Sequence, residues 1–449
     1  MGLQLLAWSG EPGDTDLIGT FALLGRNYRS IALRALKRLG LGTPGLFALA
    51  NRVPLRERHP FAVTLGAAPI ADINALVAAL SVGDAITLLR MTEDFQGTPE
   101  WIRGNERLAA AVVAAAENPL LMGDGPQTPV SMVWLRDGIR YGPCALLGYS
   151  PGQRRQAIER LGAWLSAPCT LEAVKAEVAR RPGDSQAIWL HHQVIEAQRD
   201  RSGDFPEGLA IRIAVPQPGS PGDVRTHLLI DGVPLEPRSF GMGMPRIPER
   251  FQGAEDGLQA TAESREVVLA EADCTEGCCG ALRARIRRVE ARGRVEWEVW
   301  RTRGAQGDPE RFSFDAAAYD TEVARAASDF AWEWPARRVA RLLRERMEAE
   351  PGLMSRWECR FGSADSWNRE RSVLRLHFAH PEVPSPSSDR PWLQFEYKVE
   401  VPDAAIVDDD AVTAIVDRIV QRFRDADPKR FARVIGGSRE LAESLGIPW

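Results

Sequence analysis

Three of the chain's six cysteines fall within six positions, in the stretch "EADCTEGCCG". Cys274, Cys278 and Cys279 follow C-x3-C-C, and thiolates gathered this closely are the ligands a structural zinc ion takes. The common knuckle is C-x2-C with a second pair elsewhere, so a fourth ligand would have to come from afar. His227, Cys359, His377 and His380 are the candidates. Adjacent Cys278 and Cys279 would point to opposite faces of a strand and could share one ion only in an irregular turn. The competing reading is a β-hairpin turning at Thr275-Glu276-Gly277, with one cysteine packed inward as a small hydrophobe. Thiol redox chemistry is a third use. The turn is the leading reading, so no cofactor is expected, with zinc kept as the alternative.

A second constellation is "CALLGYSPGQ", where Gly148-Tyr149-Ser150-Pro151-Gly152 fits the G-x-S-x-G of a hydrolase nucleophile elbow. That elbow draws part of its oxyanion hole from the backbone N–H after the serine, and Pro151 has none. The same letters start a helix, with Ser150 as N-cap, Pro151 at the first position and Gln153 closing a capping box. Ser150 therefore stays a catalytic candidate only as an alternative.

His191-His192 lack a histidine four residues on, which a helical metal pair needs. Asp408-Asp409-Asp410 stand at a helix start, where carboxylates meet the positive end of the helix dipole. The glycine-rich "GMGMP" and "IGGSRE" carry no Walker lysine. "DFAWEWPARR" is richer: Trp332, Trp334, Arg337 and Arg338 are the residue types that anchor protein interfaces. Core packing between helices is the competing use.

The elements that must position these residues read as α+β. A helix-rich N-terminal domain over 1–203 precedes an antiparallel-sheet domain packed with helices over 204–449, with a subdivision near 351. The boundary is placed in the polar stretch "RDRSGDFPEG". Helices are expected near 16–39, 70–91, 98–117 (capped by Thr98), 151–165, 170–180 and 186–199. "PVSMVWLRDGIRYGPCALLG" reads as a hairpin turning at Asp137-Gly138, and "THLLIDGVPLEP" as another. "RSFGMGMPRIPERFQG" shows no period and reads as a loop.

A meander follows over 266–273, 279–289 and 294–301, with Leu282, Ala284 and Ile286 on one face and Val295, Trp297 and Val299 on the facing one. Its opposite side sets Arg283, Arg285 and Arg287 against Glu296 and Glu298. Two helices come next, the second starting at Pro335. Strands return at 355–361, 372–379 and 392–400, and a helix striped by Val412, Ile415, Val416, Ile419 and Phe423 follows.

A net charge of −5 offers no global attraction to nucleic acid or to an anionic membrane. No apolar run is long enough for a transmembrane helix, and the N-terminus lacks the basic and apolar regions of a signal peptide. A cytoplasmic protein is expected, with neither nucleic acid nor membrane as partner.

The stretch from "ADCTEGCCGAL" through "VEWEVW", "ERFSFDAAAYD" and "WEWPARRVARLL" resembles a recurring module of proteins from GC-rich bacteria, some of them immunity-like or conflict-system accessory proteins. The resemblance covers roughly 205–350 and implies defence-associated binding without assigning a site. With no coherent catalytic constellation, the expected function is a protein-binding component acting through Trp332, Trp334, Arg337 and Arg338. The alternatives are a serine hydrolase at Ser150 and a structural zinc protein at Cys274, Cys278 and Cys279.

Overall fold

The computed structural model describes residues 4, 8–54, 57–91, 99–122, 128–199, 207–220, 222–240, 243–252, 257–272, 280–303, 308–382, 391–404 and 407–449. The architecture is α+β. Helices come first: α1 (Thr15–Leu24), α2 (Arg26–Arg38), α3 (Thr43–Ala50), α4 (His59–Gly66), α5 (Ile70–Ala79), α6 (Val82–Met91) and α7 (Glu106–Glu117). Then follow α8 (Thr128–Arg140), α9 (Gln153–Leu165), α10 (Pro168–Arg180) and α11 (Ser185–Arg199).

The chain next forms β1 (Leu209–Ala214), β2 (Arg225–Ile230), β3 (Val233–Pro234), α12 (Leu235–Ser239), β4 (Gly243–Pro245) and α13 (Pro248–Gln252). Strands β5 (Arg265–Ala272), β6 (Ala281–Val289), β7 (Arg294–Arg301) and β8 (Glu310–Asp315) lead into α14 (Ala316–Ala327) and α15 (Pro335–Ala349). The last elements are α16 (Gly352–Ser355), β9 (Arg360–Asp365), β10 (Val373–His380), β11 (Leu393–Glu400), α17 (Asp409–Asp425), β12 (Arg433–Gly437) and α18 (Arg439–Ser444).

These elements gather into two compact units. The first comprises Met1–Thr170, Glu196–Ala214 and Arg225–Ser328, and the second Leu171–Ile195, Val215–Val224 and Asp329–Trp449.

In the first unit the stretch expected as a hairpin, 129–148, is helix α8 followed by a 3-10 turn (Pro143–Leu146). Val130, Met132, Val133, Trp134, Leu135 and Ile139 are all buried, so the helix is apolar on nearly every side and its 3.6-residue period is masked. Asp137-Gly138 is no turn. Gly138 lies inside the helix, and the following bend passes so close that a side chain on Gly142 would lie 3.2 Å from the Gly138 backbone. The helix expected over 98–117 begins at Glu106, where the Asn105 side chain accepts the Leu108 N–H at 3.1 Å. Thr98 lies outside the described residues.

Strands β1, β2 and β3 form one antiparallel sheet with β1 at its edge. Asp231 and Gly232, at φ of 51° and 74°, make the tight turn with both central residues left-handed that an Asp-Gly hairpin requires. At the free edge of β1, Glu322 accepts the Ile211 N–H at 2.6 Å and Arg325 donates to the Ile211 carbonyl at 2.6 Å. Strands β4 to β8 form a five-stranded antiparallel sheet in sequence order.

The expected meander is its centre, in the expected register. Arg285 faces Glu298 and Arg287 faces Glu296, with ion pairs of 3.3 and 2.9 Å. The other face buries Leu282, Ala284, Ile286, Val295, Trp297 and Val299 against Tyr319 and Val323 of α14. The Trp297 indole N–H donates to the Tyr319 hydroxyl at 3.3 Å. The segment expected as a loop around 238–253 holds the end of α12, then β4 and α13. Strand β4 exists because β5 pairs with it, a long-range cause that no local pattern announces.

The second unit holds an antiparallel sheet in the order β12-β11-β10-β9. Leu374, Leu376, Phe378, Leu393 and Phe395 are buried, as are Val339 and Leu343 of α15 and Val416, Ile419 and Phe423 of α17. The strand expected over 355–361 runs from Arg360 to Asp365, because Leu353 and Met354 are buried in the short helix α16 instead. Beyond α17, β12 and α18 were not anticipated. Asp408 caps α17, its carboxylate accepting the N–H groups of Asp410 and Ala411.

Candidate binding site

Within the second unit, α15 starts where Pro335 follows Trp334, whose extended backbone (φ −84°, ψ 164°) turns the chain into the helix. The preceding residues are tied locally. Ala331 N–H donates to the Asp329 carboxylate at 3.1 Å, and the Trp332 indole N–H donates to the Asp329 carbonyl at 2.8 Å. Glu333, on a fully buried side chain, holds Arg341 one turn inside the helix at 2.9 Å, and Arg341 lies 3.8 Å over the Phe330 ring. These contacts tie the short segment to the first turns of the helix.

Of the four residues singled out in the sequence, Trp334 and Arg337 are interior side chains, 1% and 5% exposed. The Trp334 indole N–H donates to Ser366 Oγ at 2.9 Å. Arg337 donates to Asp223 at 2.8 Å and lies 5.2 Å from both the Trp332 and the Trp334 rings. Arg371 covers Trp334 from 4.6 Å. The result is a stack in which guanidinium planes lie against indole faces, an arrangement that cations and aromatic quadrupoles favour.

Trp332 and Arg338 stand at the margin of this stack. Both are half-buried, and Arg338 pairs with exposed Asp409 at 2.8 Å. Trp334 and Arg337 are thus interior, and of the four only Trp332 and Arg338 reach the surface.

The sequence reading missed the other half of the cluster. Arg371 and Asp403 are both buried and meet at 3.5 Å. Burial and the neighbouring Arg337 pull the Arg371 guanidinium below its usual range, and Asp403 opposes them. Asn368, also buried, donates to the Gln217 carbonyl at 2.9 Å. His192 is held neutral first by burial and then by the Arg371 charge.

The polar face of the β9–β12 sheet carries a second polar group. Ser363 Oγ lies 3.1 Å from His377 Nδ1, and His377 Nε2 lies 3.6 Å from Glu396. Asp365 stands 3.5 Å from His377 Nδ1, and the pair of carboxylates raises the imidazole above its ordinary value. Arg375, 1% exposed, pairs with Glu370 and Glu396 and stacks 3.9 Å over Trp367. One signal was available: "VLRLHFAH" and "LQFEYKVE" alternate apolar and polar residues, marking one face of β10 and β11 as polar.

Of the remaining candidates, Cys359, His377 and His380 belong to the second unit and His227 to the first. Cys274, Cys278 and Cys279 lie outside the described residues; the strands on either side, β5 and β6, pair antiparallel. Cys359 is buried, and burial pushes its thiol up to about 12. His380 Nδ1 contacts the Glu358 carbonyl at 3.0 Å, while His227 stacks on Tyr141 at 5.2 Å between ring centroids. Among the described residues no group of three or more His, Cys, Asp or Glu side chains is placed to hold a metal ion.

Ser150 is exposed in a turn before α9. A 3-10 turn (Pro143–Leu146) precedes it, where the nucleophile-elbow reading expected a strand. Gln153 reaches back to the Ser150 N–H as the capping box anticipates, but Gly152 in the left-handed conformation is the residue that opens the helix. α11 is capped by Asp184, which accepts the Ala187 N–H at 2.8 Å. Among the described residues no single helix is long and apolar enough to cross a membrane.

No protein-family model matches the chain, and neither a curated protein nor a solved structure matches it. The functional reading therefore rests on geometry.

Proposed function

We propose that the protein is a binding component that engages a protein partner at the margin formed by Trp332 and Arg338. The observation that supports this reading is the state of Trp332. Its indole is half-buried, yet already fixed by its own N–H on the Asp329 carbonyl and by Arg337 at 5.2 Å. An aromatic anchor ordered in advance loses little freedom on binding, which is how a few residues dominate an interface. Arg338 beside it is paired to a carboxylate that is itself exposed, so a partner carboxylate can compete for the guanidinium. The resemblance to immunity-like modules makes a protein of a bacterial conflict system the class of partner to seek. Nucleic acid and membrane are not part of the reading.

The test is capture of a stoichiometric partner from the native host on the tagged protein at moderate salt. Trp332→Ala and Arg338→Ala should each lose that partner while unfolding at nearly the same denaturant concentration as the parent. Persistence of the partner in both variants places the interface elsewhere, and capture of no stoichiometric partner by the parent removes the reading. Trp334→Ala is unsuited as a test, because it opens the interior of the unit.

A further inference from the structure

One row of side chains on the polar face of the β9–β12 sheet has no part in partner binding at Trp332. Backbone register sets the row. His377, on the inner strand β10, is paired with Ser363 of β9 on one side and with Glu396 of β11 on the other. Residues directly opposed on neighbouring strands share a face, so the three converge. Ser363 Oγ lies 3.1 Å from His377 Nδ1, and Nε2 of the same ring lies 3.6 Å from Glu396. Ser363 is partly exposed, while the side chains of His377 and Glu396 behind it are 16% and 10% exposed.

Hydrogen bonding fixes what each member can do. A carboxylate only accepts, so Glu396 draws the proton of the neutral ring to Nε2 and leaves the Nδ1 lone pair facing the hydroxyl. The order is carboxylate, imidazole, hydroxyl: the ring can take the serine proton, and the carboxylate steadies the imidazolium that results. Asp365 is a second acceptor for the hydroxyl at 3.3 Å and stands 3.5 Å from Nδ1. Arg375 and Lys398 each hold Glu396 at 3.3 Å, and exposed Arg433 stands opposite it on β12. The β9–β10 register slips between His377 and Phe378, which leaves Gly362 as an extra residue beside the serine. A side chain there would lie 3.1 Å from the His377 carbonyl. With glycine, the residue before the serine adds no bulk.

We infer that Ser363 is a nucleophile that accepts the acyl group of a small activated ester, with His377 as its general base and Glu396 as a positioning residue. Ser363 Oγ attacks the ester carbonyl while its proton passes to His377 Nδ1. The bond from the acyl carbon to the leaving oxygen then breaks, the imidazolium returns the proton to that oxygen, and an acyl-serine remains. Water attacks the acyl-serine with His377 again as base, which frees the acid and restores the hydroxyl. The row supplies a nucleophile and a base, so the leaving group must itself be a good one. This activity is independent of the partner-binding reading.

The experiment mixes the whole protein with p-nitrophenyl acetate, follows release of nitrophenolate, and locates the acetyl group by peptide mass spectrometry. The acetyl group should sit on Ser363, and Ser363→Ala should lose it together with the release it accounts for. His377→Gln should slow acylation by roughly 100-fold or more, the reach of a positioned base. In the parent the rate should rise with pH to a plateau with its midpoint above 6.5, because Asp365 and Glu396 raise the imidazole and only its neutral form is a base. Asp365→Asn should still acylate Ser363 and move that midpoint down. Glu396→Gln should move it down and also slow the reaction. Thermal unfolding checks each variant, and if His377→Gln does not fold, the midpoint of Asp365→Asn tests the base instead. An acetyl group found only on other residues, such as Lys398, overturns the site. Equal rates in the parent and His377→Gln, or a midpoint unmoved in Asp365→Asn, overturn the role of the imidazole.

Discussion

Arg285 and Arg287 stand on the open face of β6 in the first unit, while Arg371 and Arg375 lie inside the second. The first pair has side chains 47% and 54% exposed, the other 3% and 1%. Both sets face carboxylates. On the open ladder, water solvates either partner when the other is removed, so the pairing contributes little. In the interior, each guanidinium has exchanged water for an indole face and one or two carboxylates, and losing a partner strands a charge. The same residue type is thus nearly dispensable in one region and indispensable in the other, and desolvation makes the difference.

The largest effect expected from breaking this contrast is at Asp403. Asp403→Ala leaves Arg371 buried beside Arg337 with no carboxylate of its own and should cost about 3–5 kcal/mol. Urea unfolding followed by the signals of the second unit reads it. Replacing both partners, as Arg371→Met with Asp403→Leu, should recover most of that loss. A small effect of the single substitution would show that water reaches the pair.

Second comes Glu236, a buried acid with no salt-bridge partner among the described residues. Its carboxylate accepts the Leu228 N–H at 3.1 Å, and burial raises its pKa to about 8. The folded state therefore binds more protons than the unfolded one between the ordinary carboxylate range and pH 8. The stabilising contribution is complete below about pH 4.5 and is lost as pH rises toward 8. Glu236→Gln should remove this slope and gain on the order of 3 kcal/mol at pH 8 relative to the parent. Unfolding midpoints from pH 5 to 8 measure it, and parallel curves for the two proteins would refute it.

The histidines repeat the contrast at smaller scale. His227, fully enclosed, is pushed down to about 3 by burial, with Arg225 adding to it. His377, between Asp365 and Glu396, is raised. Imidazole proton shifts should show His377 titrating above 6.5 and His227 remaining neutral to below pH 4.5. The contribution of His377 to stability is present below about 6.5 and fades as pH passes its raised value.

The smallest effect belongs to the open ladder. Arg285→Ala should cost at most about 0.5 kcal/mol, and that difference should vanish in high salt.

The ladder was legible in the sequence because a strand's two-residue period assigns every side chain to a face, and neighbouring strands then fix which charges meet. The start of α15 was legible for a similarly local reason, since Pro335 admits a helix only as its first turn. Helix α8 was not, because its burial on nearly all sides erases the period and Asp137-Gly138 imitates a turn. The Arg371–Asp403 pair was not legible either. Its members are far apart along the chain, and only the fold of the second unit brings them to 3.5 Å. The margin at Trp332 could be named from composition, but which of the two tryptophans is interior depends on where β9 places Ser366.

Edge strand β1 has a consequence for the protein in concentrated solution. An unpaired strand edge is a template on which another chain can add, the first step toward runaway assembly. Here the edge-facing donor and acceptor of Ile211 are already occupied by Glu322 and Arg325, side chains of a helix posing as a neighbouring strand. Burial works against the Glu322 charge, but Arg325, the Ile211 N–H and Arg212 together hold its carboxyl below the usual range. The mimicry therefore survives mild acid. A chain carrying Glu322→Ala and Arg325→Ala would keep its fold and become sticky, recruiting strands from its own copies.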